Sequence, residues 1–458
     1  MTLQKSHNDK SLLFPIWLSV FYLAVTLIIY ELCPYNWPTQ NPVLFYSLNI
    51  LYILALLFGY LLGQRHCFRL RVFLWTEKTT DILVKIVSVA IIINFFMYLI
   101  YVFRDYGFRT FDIVGLCKEM AVGLKNPGIG YLNHLKRLEV LDGPIVMGGY
   151  VYTVFNLLWG FVKVPVSILA LMYFKRLKLY GKIFTVLYLL LVIVYYISIG
   201  TNIQFLHVLL LLVLPVVMET FDKWYSKELN AKAIIKLVAF VLVAVVLLCA
   251  YFGWMMESRS DASGYEIDEY PISGIVPDNS QNTPSEEMPA WLRKINNLWI
   301  SFSSYLSQGY YGMSQALGLE WTPMFGLGNS MFVVDMISDH IYDIDQFTYQ
   351  VKLEPFGWDS DVRWHSMYTW IANDVSFYGV ILVMFVIGIL FGMMFKDAVV
   401  NKNPLARCSI FFYILMLIFI PCNNQVAQSN ETFCPFILLI LLWFLFGRQP
   451  APAAQTEG

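Results

Sequence analysis

Apolar residues in this chain gather into ten runs, separated by polar turns and by one long hydrophilic stretch. The runs cover residues 11–31, 42–63, 82–103, 145–174, 183–199, 203–218, 234–256, 367–395, 409–422 and 433–446. A helix rises about 1.5 Å per residue, so roughly 20 apolar residues cross a hydrocarbon core about 30 Å thick. The pattern predicts about ten transmembrane helices. The fourth run is longer than a span needs and should tilt or begin outside the bilayer. The fifth and sixth form a hairpin around Gly200, Thr201 and Asn202, a turn without charge. The first run lacks a small-residue cleavage site and reads as a retained helix.

Basic residues alternate with the runs. Lys5 and Lys10 precede the first, and Arg65, Arg69, Arg71 and Lys78 follow the second. Lys175, Arg176, Lys178 and Lys182 follow the fourth, and Lys223, Lys227, Lys232 and Lys236 the sixth. Lys396, Lys402 and Arg407 close the eighth, and Arg448 the tenth. The positive-inside rule places all these clusters, and both termini, in the cytoplasm. Residues 1–256 then hold helices one to seven, 257–365 an extracytoplasmic loop, 366–448 helices eight to ten, and 449–458 a cytoplasmic tail.

Two outer segments need their own reading. Residues 104–144 are too polar to span and suit a short amphipathic piece on the outer leaflet. The long loop starts acidic and rich in turn residues (D-A-S-G-Y-E-I-D-E-Y-P), a composition that reads as mobile. In 291–319, Leu292, Ile295, Leu298, Trp299 and Phe302 then recur at helical spacing, predicting a helix along the outer interface.

Composition narrows the class. With 58% apolar and 14% charged residues the chain is too oily for a soluble core, and its mean hydropathy is +0.60. A net charge of −1, sorted loop by loop, does not suggest nucleic acid. The seven cysteines show no CxxC pair and no metal-ligand spacing. Cys422 and Cys434 flank one short loop and could pair in an oxidising compartment. Asp335, Asp339, Asp343 and Asp345 with His340 match no familiar metal site, and no metal or other cofactor is expected.

The candidate chemistry lies on the outer side. Arg363 and His365 stand just before the eighth run, and Asp374 a little inside it. Placing a charge in hydrocarbon costs roughly 2.5 to 3.5 kcal/mol on insertion scales, so such residues are candidates by default. With Glu257, Arg259, Asp261, Arg293 and Lys294 they suggest a polar hollow under the loop, suited to a sugar chain on a lipid diphosphate. Arg259 and Arg363 suit diphosphate, because a guanidinium gives paired charge-assisted hydrogen bonds. His365 is the candidate general base, and Asp374 would orient it or bind sugar hydroxyls. Tyr305, Tyr310 and Tyr311 offer rings and hydroxyls to sugars. The plainer alternatives are helix-anchoring arginines, an interfacial histidine, a capped acid and an aromatic belt.

The chain resembles the O-antigen and capsule repeat-unit polymerases of the Wzy type. The resemblance rests on the long outer loop before the late spans, on Y-L-S-Q-G-Y-Y-G-M-S-Q-A-L (305–317) followed by F-G-L-G-N-S, and on Y-T-W-I-A-N-D-V-S-F-Y-G (368–379). It departs from that family at Gly200-Thr201-Asn202, where such proteins often carry an arginine. The resemblance implies a GT-C-like, metal-independent membrane glycosyltransferase of the bacterial inner membrane. It would join undecaprenyl-diphosphate-linked oligosaccharides at the periplasmic face, with the lipid bilayer and a chain-length regulator as partners. A ligase that transfers finished glycan, and a flippase for the same lipid-linked sugar, are the alternatives.

Overall fold

The computed structural model describes residues 10–65, 75–140, 149–278, 289–360 and 362–446. Every apolar run becomes a helix. Eight helices are long and apolar enough to cross a membrane. They are α1 (Lys10–Leu32), α2 (Pro42–Arg65), α3 (Glu77–Asp105), α6 (Gly149–Met172), α7 (Leu179–Ser198), α8 (Ile203–Tyr225), α9 (Ala231–Ser263) and α13 (Met367–Val400). The last two apolar helices, α14 (Pro404–Phe419) and α15 (Asn430–Phe446), are shorter. The chain is therefore a polytopic, all-helical membrane protein, with no strand among the described residues.

The remaining helices are α4 (Ile113–Lys125), α5 (Pro127–Val140), α10 (Ala290–Ala316), α11 (Met331–His340) and the single turn α12 (Tyr349–Lys352). The amphipathic piece expected in 104–144 is in fact two helices, α4 and α5. They pack across the ends of α7 and α9, where the Gly128 amide donates to Ser258 Oγ at 2.8 Å. Gly200, with φ +64°, ends α7 where a Cβ would run into the Pro127 carbonyl, so only glycine fits this turn.

The interfacial helix needs a larger correction. The first half of α10 is exposed as expected, with Trp291, Ile295 and Phe302 open. From Ile300 to Ala316 the helix instead enters the core, burying Leu306, Tyr310, Tyr311 and Met313. Serines and glycines at 301, 303, 304, 307, 309 and 312 read as polar in sequence, yet they let neighbouring backbones approach closely. Gly309 lies against the carbonyls of Pro421 and Cys422, and Gly312 against the Trp358 indole.

Two hydrophobic cores share the molecule. The larger joins α1, α2, α10, α13, α14 and α15, and the smaller joins α3, α4 and α7, with α6 and α8 feeding both. Inside the larger, α2 and α13 interlock through facing glycine pairs: Gly59 and Gly63 rest on the backbone at Phe385 and Ile389, and Gly388 and Gly392 on that at Leu56 and Tyr60. In a bilayer, where lipid tails remove the hydrophobic drive between helices, such close backbone contact is what holds a pair together. Helix α13 breaks at Ser376, whose φ of 61° and ψ of 167° lie in a region nearly reserved for glycine.

Several sequence readings fall outside the described residues: Lys5, Cys67, Arg69, Arg71, residues 279–288 of the acidic stretch, Arg448 and the 449–458 tail. Cys422 and Cys434 are both free thiols.

Candidate functional site

Site residues come from the short segment that leads into α13. Trp358 is fully buried and its indole donates to the Trp364 carbonyl at 3.3 Å, which makes a strap of 358–360 and 362–364. The strap is pinned to α10 by the Ser366 amide on the Gly309 carbonyl at 3.2 Å, and by the Trp364 ring on Tyr305, centroids 5.0 Å apart. The Ser366 side chain then caps α13 by accepting from the Thr369 amide.

Beneath the strap lies His365, 2% exposed, with neither ring nitrogen hydrogen-bonded to protein. Burial pushes its pKa down to about 3, so the ring is neutral near pH 7 and a weak base while enclosed. Arg363, in contrast, is only half-buried, and its guanidinium makes no ion pair among the described residues.

Asp374 does not orient His365. It sits about two turns into α13 and accepts instead from the amides of Gly326 and Gly328, both at 2.8 Å, and from Asn329 Nδ2 at 2.6 Å. The neighbouring Asn373 donates to the Gly328 carbonyl and to Gln350, and accepts from the Tyr349 amide. The N-D pair is thus a clamp that gathers F-G-L-G-N and α12 onto the start of α13. Charge-assisted bonds of this kind are roughly twice as strong as neutral ones, so the clamp is rigid.

Each candidate arginine is within electrostatic reach of one member of a tyrosine group. Tyr35 Oη donates to the Tyr270 carbonyl at 3.1 Å, and the Tyr265 and Tyr270 rings lie 4.5 Å apart. Burial raises the pKa of Tyr35, and Arg363 is near enough to pull it partly back. Burial likewise raises Tyr265, to about 12, with Arg259 pulling it back. Arg259 is held in place: Nε donates to the Gly200 carbonyl at 2.9 Å, Nη2 bonds the same oxygen, and the guanidinium lies 3.9 Å from the Tyr131 ring centroid. Nη1 keeps its donors without a partner among the described residues.

The three tyrosines expected to meet sugars part company. Tyr305 stays half-buried beside Trp364, at the edge of this group. Tyr310 is buried in the core, its hydroxyl 3.0 Å from that of Thr26, because its stretch of α10 faces α1. Tyr311 is also buried, stacked on Trp37 at 5.0 Å with Trp358 edge-on at 5.1 Å. Neither of the last two offers an open face. No group of three or more His, Cys, Asp or Glu is placed to hold a metal among the described residues.

Sequence reasoning missed Tyr35, Tyr265 and Tyr270, which lie in loops read only for charge. It also missed an ion pair inside the helices. Lys163, 3% exposed at its side chain, bonds Glu431 at the start of α15 and lies over the rings of Tyr98 and Tyr101, 4.9 and 5.6 Å from their centroids. Its signal was available: a lysine in the middle of an otherwise apolar run. No family model matches the chain, and neither curated proteins nor solved structures give a match.

Proposed function

We propose that the protein polymerises undecaprenyl-diphosphate-linked oligosaccharide units at the outer face of the membrane. The electrostatic reach of Arg259 and Arg363 to the Tyr35–Tyr265–Tyr270 group carries this reading. Two half-buried cations beside one tyrosine group suit an anion that carries more than one phosphate. In the reaction, a hydroxyl of the incoming unit attacks the anomeric carbon of the growing chain. The new glycosidic C–O bond forms, and the bond to the lipid diphosphate breaks with its electron pair leaving on the phosphate oxygen. The arginines stabilise that developing charge, and His365 takes the hydroxyl proton. The ring is enclosed, so a sugar reaches it only when the side chains packed around it, Trp358 among them, shift.

Arg259 adds a second support. Its guanidinium sits at the Gly200 turn, where the resembled family often carries an arginine of its own. A cation from α9 thereby stands where this chain's hairpin lacks one.

The test compares lipid-linked products in cells or proteoliposomes. Arg363→Ala and His365→Ala should each lower polymer formation by about 100-fold or more, in the range seen when a group stabilising transition-state charge is removed, while single units accumulate on the lipid. Wild-type chain lengths in both variants would falsify these roles. The lipid-linked sugar flippase is a second reading, favoured by the Lys163–Glu431 pair, since charge among membrane helices often marks a translocation path. It predicts that single units fail to reach the outer leaflet in Lys163→Met.

A further inference from the structure

Lys163 is buried inside the bundle and pairs with the partly exposed Glu431, and the chain of contacts from this pair to His365 is continuous. Glu431 opens α15, and the loop before it, 420–429, runs directly under the candidate site. The Ile420 carbonyl accepts from the Met367 amide at 3.0 Å, which fixes the residue two beyond His365. Pro421 and Cys422 lie against Gly309 of α10. Asn424 donates to the Asn329 carbonyl at 2.7 Å, and the Ala427 carbonyl accepts from Ser330 Oγ at 2.8 Å and from the Phe332 amide at 3.4 Å. One loop therefore supports the strap, α10 and the F-G-L-G-N segment together.

Helix α6 grips the end of that loop. Asn430 donates to the Leu157 carbonyl at 3.3 Å, its amide lies against Gly160, and Lys163 binds Glu431. Positions 157, 160 and 163 form a single stripe on α6. Lys163 is anchored in turn, because Asn94 and Ser167 both donate to its carbonyl, at 2.9 and 3.0 Å. A half-desolvated ion pair often stabilises no more than apolar packing would, while losing one partner leaves the buried lysine uncompensated. Here it fixes the loop's far end to the smaller core.

We infer that Lys163 is a positioning residue for the Arg363–His365 segment, acting through Glu431 and the 420–429 loop. The activity half of this inference rests on the function proposed above, and the structural half does not. Hydrogen exchange on the purified full-length protein in lipid nanodiscs tests the structural half. Lys163→Met and Glu431→Gln should each speed exchange at Met367 and Phe332 at least tenfold, leave the α2–α13 interface protected, and be matched by wild-type protection in Lys163→Arg. Unchanged exchange at Met367 and Phe332 overturns the inference. So does loss of protection across the whole bundle in both Lys163→Met and Glu431→Gln, since the pair would then simply hold the fold together. In a polymerisation assay Lys163→Met should lower kcat at least tenfold with KM within twofold of wild type. If wild type makes no polymer while the exchange result holds, the proposed function fails and the positioning role stands. If wild type polymerises and exchange does not change, the positioning role alone fails.

Discussion

Asp374 was legible in the sequence as a costly charge near a helix start, but its partners were not. Gly326, Gly328 and Asn329 lie 45 to 48 residues earlier, and nothing local shows that the chain returns there. The carboxylate now reads as the post around which a glycine loop is wound, beside a residue, Ser376, that holds a conformation costing about 1–3 kcal/mol. Strain next to a rigid clamp persists because the clamp over-determines it. Asp374→Ala removes three charge-assisted contacts and should lower stability by about 2–4 kcal/mol, given roughly 1.5–3 kcal/mol per such bond and less than full additivity. Asp374→Asn keeps an oxygen for the glycine amides and sets its amide against that of Asn329, so about 1 kcal/mol is expected. Unfolding midpoints of the purified variants in a denaturing-detergent titration decide it. Equal losses for both would mean that the oxygen asparagine keeps for the glycine amides contributes nothing and that the clamp rests on the charge and the Asn329 contact alone.

The ten apolar runs were legible because hydrocarbon demands internally satisfied backbone over a fixed length. Packing between them was not, as α10 shows. Its second half carries serines, two glutamines and two glycines that look solvated, and in the fold Gly309 and Gly312 are the small surfaces over which Pro421–Cys422 and Trp358 close. The same holds for α2 and α13, where F-G-Y-L-L-G and I-G-I-L-F-G supply the contact and the large residues point elsewhere. A side chain at Gly388 would meet the Leu56 carbonyl, which belongs to rigid helical backbone and cannot yield. Gly388→Leu should therefore destabilise the fold by about 1–3 kcal/mol or more, as overpacking does. Gly253→Ala on α9 is the contrast: its new methyl meets only a Leu298 methyl at 3.5 Å. Helix propensity then favours alanine by up to about 1 kcal/mol, so its stability should hold or rise. A Gly388→Leu protein as stable as wild type would show that the glycine interlock does not hold α2 to α13.

The placement of the candidate site in the whole molecule follows from its sidedness. Helices α4 and α5, the Gly200 turn, Arg259 and the strap share one end of the bundle, joined through Ser258, Tyr131 and Tyr305. Lys175, Arg176 and Lys178 lie one α7 length away, at the other end. Charge sorting predicts that the first end faces outside, where the proposed polymerase would extend a lipid-linked sugar without consuming a cytoplasmic nucleotide sugar. Glu119 on α4 and Lys178 before α7 are both exposed, which makes them reporters for the two ends. In a chain with Cys67 and Cys117 replaced by serine, Glu119→Cys should react with a membrane-impermeant maleimide added to intact cells, whereas Lys178→Cys should react only after permeabilisation. The opposite result would put Arg259, Arg363 and His365 in the cytoplasm. A polymerase working on already translocated units could not operate there, so inverted labelling would remove the proposed function while leaving the fold and the Lys163–Glu431 linkage intact.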